Sequence, residues 1–60
     1  MFKLHDEVQI VNHSEPSCNG QYGHVQQIDV AYNGRTLYYI VELEDSGEYC
    51  SCLEEELMEG

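Results

Sequence analysis

Residues 37–52, LYYIVELEDSGEYCSC, decide the fold because two alternating strands flank a tight turn. The stretch from Leu37 to Leu43 predicts a strand, since apolar side chains recur at every second position. Asp45-Ser46-Gly47 predicts the turn, and Glu48 to Cys52 predicts the returning strand. The face expected to point into the protein carries Tyr39, Val41 and Leu43. An isolated hairpin is marginally stable at best, so further strands are needed to cover this face.

Two earlier stretches supply these strands. Glu7 to Val11 places Val8 and Ile10 on one face, and Tyr22 to Val30 follows as a longer strand. Between them, Asn12 to Gly20 (NHSEPSCNG) is rich in Asn, Ser, Pro and Gly, which predicts a loop.

Two irregular positions refine this pattern. Val25 and Ile28 are both apolar but lie three residues apart, which breaks the two-residue period and predicts a bulge near Gln26 and Gln27. Asn33-Gly34 predicts a hairpin turn before the strand that starts at position 37, because both residue types accept positive φ.

The end of the chain, residues 53–60 (LEEELMEG), is too short for a stable free helix. It predicts a single helical turn that docks Leu53 and Leu57 on the sheet. Together these elements predict an all-β fold, with one domain at residues 1–60 forming a small barrel of about five short strands. The expected core consists of Val8, Ile10, Val25, Ile28, Tyr39, Val41, Leu43, Leu53 and Leu57, with Tyr49 at its edge.

A strand and a glycine turn follow one another early in the chain, as HDEVQIV at residues 5–11 and NGQYGHVQQI at residues 19–28. This pair resembles the KOW-type SH3-like barrel family, in which a hydrophobic strand precedes the pattern G-x-x-G-x-V-x-x-I. The matching residues are Gly20, Gly23, Val25 and Ile28. The resemblance implies a small barrel used as a binding module in ribosomal and transcription proteins. Members that bind RNA carry basic residues around the glycine turn, where this chain has Gln21, His24, Gln26 and Gln27.

The chain is strongly acidic, with twelve Asp and Glu against two Lys and Arg and a net charge of −10. Direct binding of nucleic acid depends on Lys and Arg that neutralise phosphates, so this composition argues against it and against an anionic membrane surface. No apolar run is long enough to span a bilayer. The alternating start, MFKLHDEVQIV, is unlike a signal peptide, which predicts a cytoplasmic protein.

The outer face of the third strand predicts a protein interface. If Tyr39 points inward, Tyr38 and Ile40 point outward beside Glu42 and Glu44. Tyrosine is a favoured interface anchor, and neighbouring carboxylates steer a basic partner. The expected partner-binding residues are Tyr38, Ile40, Glu42, Glu44, Asp45, Glu48, Glu54, Glu55 and Glu56.

These features predict a non-enzymatic acidic protein that docks on a basic, nucleic-acid-binding surface of a partner protein. Its carboxylates would compete with nucleic acid for the partner's Lys and Arg. In size, acidity and compactness the chain is similar to small phage-encoded inhibitors, including anti-CRISPR proteins and DNA mimics that act against restriction. That similarity implies a nuclease or host factor as partner, and the host cytoplasm as location.

A catalytic site is not indicated. No nucleophile signature surrounds Cys18 or Cys50, and Gly20-x-x-Gly23 lacks the trailing Lys and Ser/Thr of a phosphate-binding loop.

Three cysteines and three histidines support a second interpretation. Cys50 and Cys52 share one face of their strand, which is the outer face if Leu53 and Tyr49 point inward. In SH3-like barrels, the loop that carries Cys18 here folds back near the end of the fourth strand. Three Cys and one His are a common tetrahedral ligand set for Zn²⁺.

The zinc ligands predicted on this basis are Cys18, Cys50, Cys52 and His13, with His24 as the alternative fourth ligand and His5 after it. One structural Zn²⁺ would attach the loop to the barrel and stabilise a small core. The chain would then be a zinc-stabilised structural or assembly module of a larger complex. Two other states stay open, namely three free thiols or one disulfide with a spare thiol.

Overall fold

The computed structural model describes residues 1–60 and contains five antiparallel strands in one sheet. The strands are β1 Glu7–Ile10, β2 Tyr22–Val30, β3 Leu37–Leu43, β4 Tyr49–Leu53 and β5 Leu57–Glu59. A 3₁₀ turn, Glu54–Glu56, joins β4 to β5. The predicted all-β class and the C-terminal helical turn are therefore confirmed. None of these elements is a helix that is long and apolar enough to cross a membrane.

The strand order, β4-β3-β2-β1-β5, forces the sheet to curl. In a flat sheet the two edge strands would lie about 19 Å apart, because neighbouring strands are about 4.8 Å apart. The 3₁₀ turn that connects these two edges has only three residues. It advances by only about 6 Å. The sheet must therefore bend until its edges approach each other, which gives a barrel-like shape with the core on the concave side.

A bulge lies in β2 where this strand pairs with β3. Val25 pairs with Val41 and Gln27 pairs with Ile40, which leaves Gln26 as the extra residue. An extra residue bends the strand and increases its twist. This observation confirms the bulge predicted from the three-residue apolar spacing.

The core is small and contains all three cysteines. Its buried side chains are Val8, Ile10, Cys18, Val25, Tyr39, Val41, Leu43, Cys50, Cys52 and Leu57. Two residues predicted to be buried, Ile28 and Leu53, are only half-buried. Phe2 packs edge-on against Tyr39, with ring centroids 5.7 Å apart, and covers part of the barrel interior.

The prediction that Cys50 and Cys52 point outward is wrong. Cys50 pairs with Val41 and Cys52 pairs with Tyr39, and directly opposite residues project from the same face of a sheet. Because Val41 and Tyr39 point inward, both cysteines do so too. The prediction for Tyr49 is wrong for the same reason, since this side chain points outward and is 63% exposed.

Both predicted hairpin turns form. Gly34 and Gly47 have positive φ values of 71° and 74°. Asn33 lacks the positive φ expected of it. Its side-chain oxygen instead accepts a hydrogen bond from the Arg35 N–H at 2.8 Å.

The two glycines of the G-x-x-G pattern are required for different reasons. Gly20 has a φ of +82°, and the space where a Cβ would lie is open. At Gly23 a Cβ would clash with the Glu42 carbonyl oxygen and would lie 2.6 Å from Cγ1 of Val41. Gly20 therefore permits a turn, whereas Gly23 permits the close approach of β2 and β3.

We expect Gly23→Ala to lower the free energy of unfolding by about 3 kcal/mol, because the added methyl group overpacks the contact between β2 and β3. Gly20→Ala should cost about 1 kcal/mol, which is the strain of a left-handed backbone alone. Asparagine tolerates that conformation, so Gly20→Asn should recover part of the loss whereas Gly23→Asn should not. Urea denaturation followed by circular dichroism measures these differences, and recovery by asparagine at both positions would contradict the assignment.

Candidate functional site

The outer side of the β3–β4 hairpin is the surface on which the predicted interface residues lie. Three cross-strand pairs form it: Tyr38 with Leu53, Ile40 with Ser51, and Glu42 with Tyr49. We refer to these six residues as the outer face. Tyr38, Ile40, Glu42 and Leu53 are half-buried, whereas Ser51 and Tyr49 are exposed. The structure therefore brings the two predicted anchors together with two apolar side chains of β4 that the sequence argument did not include.

Apart from Glu42, which belongs to the outer face itself, the predicted acidic residues fall into two groups that lie beyond opposite ends of β4. Glu44, Asp45 and Glu48 lie in the connection between β3 and β4, beyond Tyr49. The 3₁₀ turn, Glu54–Glu56, lies beyond the other end of β4. The length of β4 separates the groups by about 13 Å. The carboxylates thus do not form one continuous patch: Glu42 lies within the outer face, whereas Glu48 lines a pocket with Leu43 and Glu56 lies beside the inward-facing Cys52.

One acidic group includes a residue that the sequence argument missed. Side-chain ligand atoms of Glu7, His24 and Glu44 lie within 4.8 Å of one another, and Nδ1 of His24 is 3.8 Å from the Glu44 carboxylate. A hydrogen bond with Glu7 is the main cause that raises the pKa of Glu44, and desolvation and nearby carboxylates act in the same direction. Glu7 joins this group because it lies opposite His24 where β1 pairs with β2. A sequence alone does not reveal this pairing.

A disulfide between Cys18 and Cys50 connects the loop after β1 to β4. The Cα atoms are 6.6 Å apart and the residues are separated by 32 positions. Closing a loop of this length lowers the entropy of the unfolded chain and stabilises the fold by about 3–4 kcal/mol. The cysteines therefore form one disulfide, and Cys52 is a spare buried thiol. This is one of the two alternatives to a zinc site that the sequence left open.

His13 supports the same connection through its imidazole ring. Nε2 lies 2.8 Å from the carbonyl oxygen of Ser51, and Nδ1 accepts a hydrogen bond from the Glu15 N–H at 2.9 Å. These two partners require a neutral ring with its proton on Nε2. Asn19 also bonds both to the N–H and to the carbonyl of His13. His13 is therefore a structural residue in this state, and both of its ring nitrogens are occupied.

Potential metal ligands do come together, but not in the predicted set. His13, Cys52 and Glu56 offer ligand atoms within 4.8 Å of one another, whereas Cys18 and Cys50 are bonded to each other. Burial raises the pKa of the Cys52 thiol to about 11, and the nearby Glu56 acts in the same direction. Oε1 of Glu56 already accepts the Leu53 N–H at 2.7 Å. Sγ of Cys52 donates a weak hydrogen bond to the Cys50 carbonyl oxygen at 3.8 Å. A metal ion here would therefore have to replace bonds that all three side chains already use.

The two remaining histidines lie elsewhere. His24, the alternative ligand, belongs to the group with Glu7 and Glu44 on the outer side of the sheet. His5 lies in the turn before β1 with a φ of 72°, and its backbone N–H donates to the Val25 carbonyl at 2.7 Å. Neither is placed to complete a site with Cys52.

The chain matches no protein-family model, no curated protein and no solved structure. The site therefore has to be interpreted from its own geometry.

We expect the Cys52 thiol of the folded, disulfide-bonded protein to resist iodoacetamide up to about pH 11, where its raised pKa lies. An unfolded cysteine ionises near pH 8.5, at about its unperturbed value. The protonated Cys52 thiol therefore contributes fully to the free energy of unfolding below about pH 8.5. This contribution is lost as the pH rises towards and through the pKa of Cys52 in the folded protein. Mass spectrometry after labelling at pH 9 measures the reaction, with the urea-unfolded chain as control. Equal labelling of the folded and unfolded chains would contradict the burial of Cys52.

Proposed function

We propose that this protein is a non-enzymatic binding protein whose outer face docks on a basic, nucleic-acid-binding surface of another protein. The class of protein it fits best is a small inhibitor of the phage-encoded type, such as an anti-CRISPR protein that blocks loading of nucleic acid. The observation that carries this proposal is the outer face, a largely apolar and aromatic surface that includes Glu42, with acidic residues in the chain beyond both ends of β4.

The charges around this surface favour a cationic partner. The only two side chains with a permanent positive charge, Lys3 and Arg35, lie outside β3 and β4. Of the acidic residues at the two ends, Glu54 pairs with the Met1 amino group at 2.9 Å and Glu44 lies near His24. The others make no ion pair, so their field extends into solvent. Such a field raises the rate at which a basic surface associates.

The apolar side chains of the outer face would slow the dissociation of the complex. Tyr49 offers an exposed ring, and Tyr38, Ile40 and Leu53 offer a continuous apolar surface behind it. Buried tyrosine and aliphatic anchors lower the dissociation rate, whereas charges at the rim mainly change the association rate. The carboxylates would occupy the Lys and Arg that otherwise hold phosphates, so the inhibition would be competitive with nucleic acid.

The resemblance to the KOW-type SH3-like barrel is compatible with this proposal, because it implies a binding module. The cytoplasm is the location that such an inhibitor would need. Disulfides persist mainly in oxidising compartments, so in a reducing cytoplasm the sheltered position of Cys18 and Cys50, each 7% exposed, would have to protect the bond.

We expect the tagged protein to retain nucleic-acid-binding proteins from a nuclease-treated bacterial lysate at about 50 mM salt and to release most of them at about 500 mM salt. Added duplex DNA should displace the same proteins. Glu42→Gln should weaken the retained complex by about fivefold, because it removes a charge from the outer face.

Glu59→Gln, on β5, is the matched control and should leave binding unchanged. Retention that resists both salt and DNA, or equal effects of the two substitutions, would contradict the proposal.

A zinc-stabilised assembly module is the second candidate, and the proximity of His13, Cys52 and Glu56 favours it. In the reduced chain, Cys18 and Cys50 would provide two further thiolates beside this group, and the ion would hold the loop in place of the disulfide. This candidate predicts one zinc per chain in protein prepared under reducing, chelator-free conditions, and less in Cys52→Ala. Elemental analysis measures the ratio, and a reduced, folded protein without zinc would exclude it.

A further inference from the structure

A pocket opens between the loop after β1 and the connection between β3 and β4. Its floor is apolar and consists of Leu43 and the Cys18–Cys50 disulfide. These side chains are nearly buried, with exposures of 5% for Leu43 and 7% for each cysteine. The walls are Glu15 on the loop side and Glu48 with Tyr49 on the hairpin side. The pocket thus combines an apolar floor with two carboxylates, and Tyr49 lies at its rim.

Neither wall carboxylate has a cationic partner within the chain. Glu15 and Glu48 take part in no ion pair, and no Lys, Arg or His lines the pocket. The Glu15 carboxylate accepts a hydrogen bond from the Ser17 hydroxyl at 3.3 Å. Two negative charges on opposite walls of a pocket with an apolar floor complement a long side chain that ends in a positive charge.

We propose that this pocket binds an arginine side chain of the basic partner. The aliphatic stem would pack on Leu43 and the disulfide, and the guanidinium would lie between Glu15 and Glu48. Arginine fits better than lysine because its planar head forms paired hydrogen bonds with carboxylates and stacks on an aromatic ring such as that of Tyr49. A bare divalent cation fits less well, because Leu43 and the disulfide offer it no oxygen ligand.

This inference rests on the proposed function and adds a specificity element to it. Tyr49 belongs both to the outer face and to the pocket, so one docked surface would cover both. The disulfide has a second role in this arrangement, since it forms part of the floor and also holds the loop that carries Glu15. The pocket selects for a partner that presents an arginine beside its nucleic-acid-binding groove.

The test uses N-acetyl-arginine methylamide as the probe and amide chemical shifts of the oxidised protein as the measurement. The affinity should be about millimolar, as for other small ligands, with the largest shifts at Glu48, Tyr49 and Cys50. The neutral isostere, N-acetyl-citrulline methylamide, should bind at least about tenfold more weakly. The lysine analogue should fall between the two.

Variants show whether arginine binds in the pocket, and they distinguish this binding from the docking of the outer face on a basic protein. Glu48→Gln and Tyr49→Ala should each weaken arginine binding by about threefold to tenfold, while Glu59→Gln leaves it unchanged. Equal binding of the arginine and citrulline probes, or equal effects of Glu48→Gln and Glu59→Gln, would show that the pocket is not an arginine-binding site. If the pocket fails in this way while salt-sensitive capture of basic proteins persists, the proposed function stands without it. If the probe binds as described but no basic protein is captured, the proposed function fails and only the arginine site remains.

Discussion

The two-residue alternation of the β3–β4 hairpin determines both the core and the outer face of this protein. Tyr39 and Val41 point inward with their cross-strand partners Cys52 and Cys50. The intervening residues of both strands must then point outward, and they form the outer face. A shift of this register by one residue would turn the inward-facing side chains outward and the outward-facing side chains inward. The same pairing therefore places Cys50 and Cys52 inside the barrel with Tyr39, and Tyr38, Tyr49 and Glu42 outside.

The small size of the core explains why the loop after β1 is so firmly attached. Only ten apolar side chains are buried, and a domain of this size buries a smaller fraction of its surface than a larger one does. The disulfide and the contact between His13 and Ser51 hold the loop against β4, which is an edge strand. An uncovered edge strand tends to pair with other chains. The loop thus stabilises the fold, covers part of this edge and builds one wall of the pocket.

Much of the fold could be predicted because local patterns specify it. β2, β3, the bulge and both hairpin turns follow from apolar spacing and turn residues. β5 could not be located, because LEEELMEG has the composition of an acidic helical turn and becomes a strand only by pairing with β1. The direction of Cys50 also depends on pairing, since Tyr49 and Leu53 are as apolar as the cysteines between them. The β3 half of the outer face followed from alternation, whereas its β4 half was predicted in the wrong direction. Glu7 and Glu15 join their groups through tertiary contacts that no local pattern encodes.

We expect a basic partner to cover the outer face. Amide hydrogen exchange of this protein, measured alone and in complex with a captured basic protein, shows which strands the partner covers. We expect slowing of exchange to be concentrated in β3, β4 and the connection between them, with β5 unchanged. Slowing confined to β1 and β5, or spread evenly over all five strands, would contradict it.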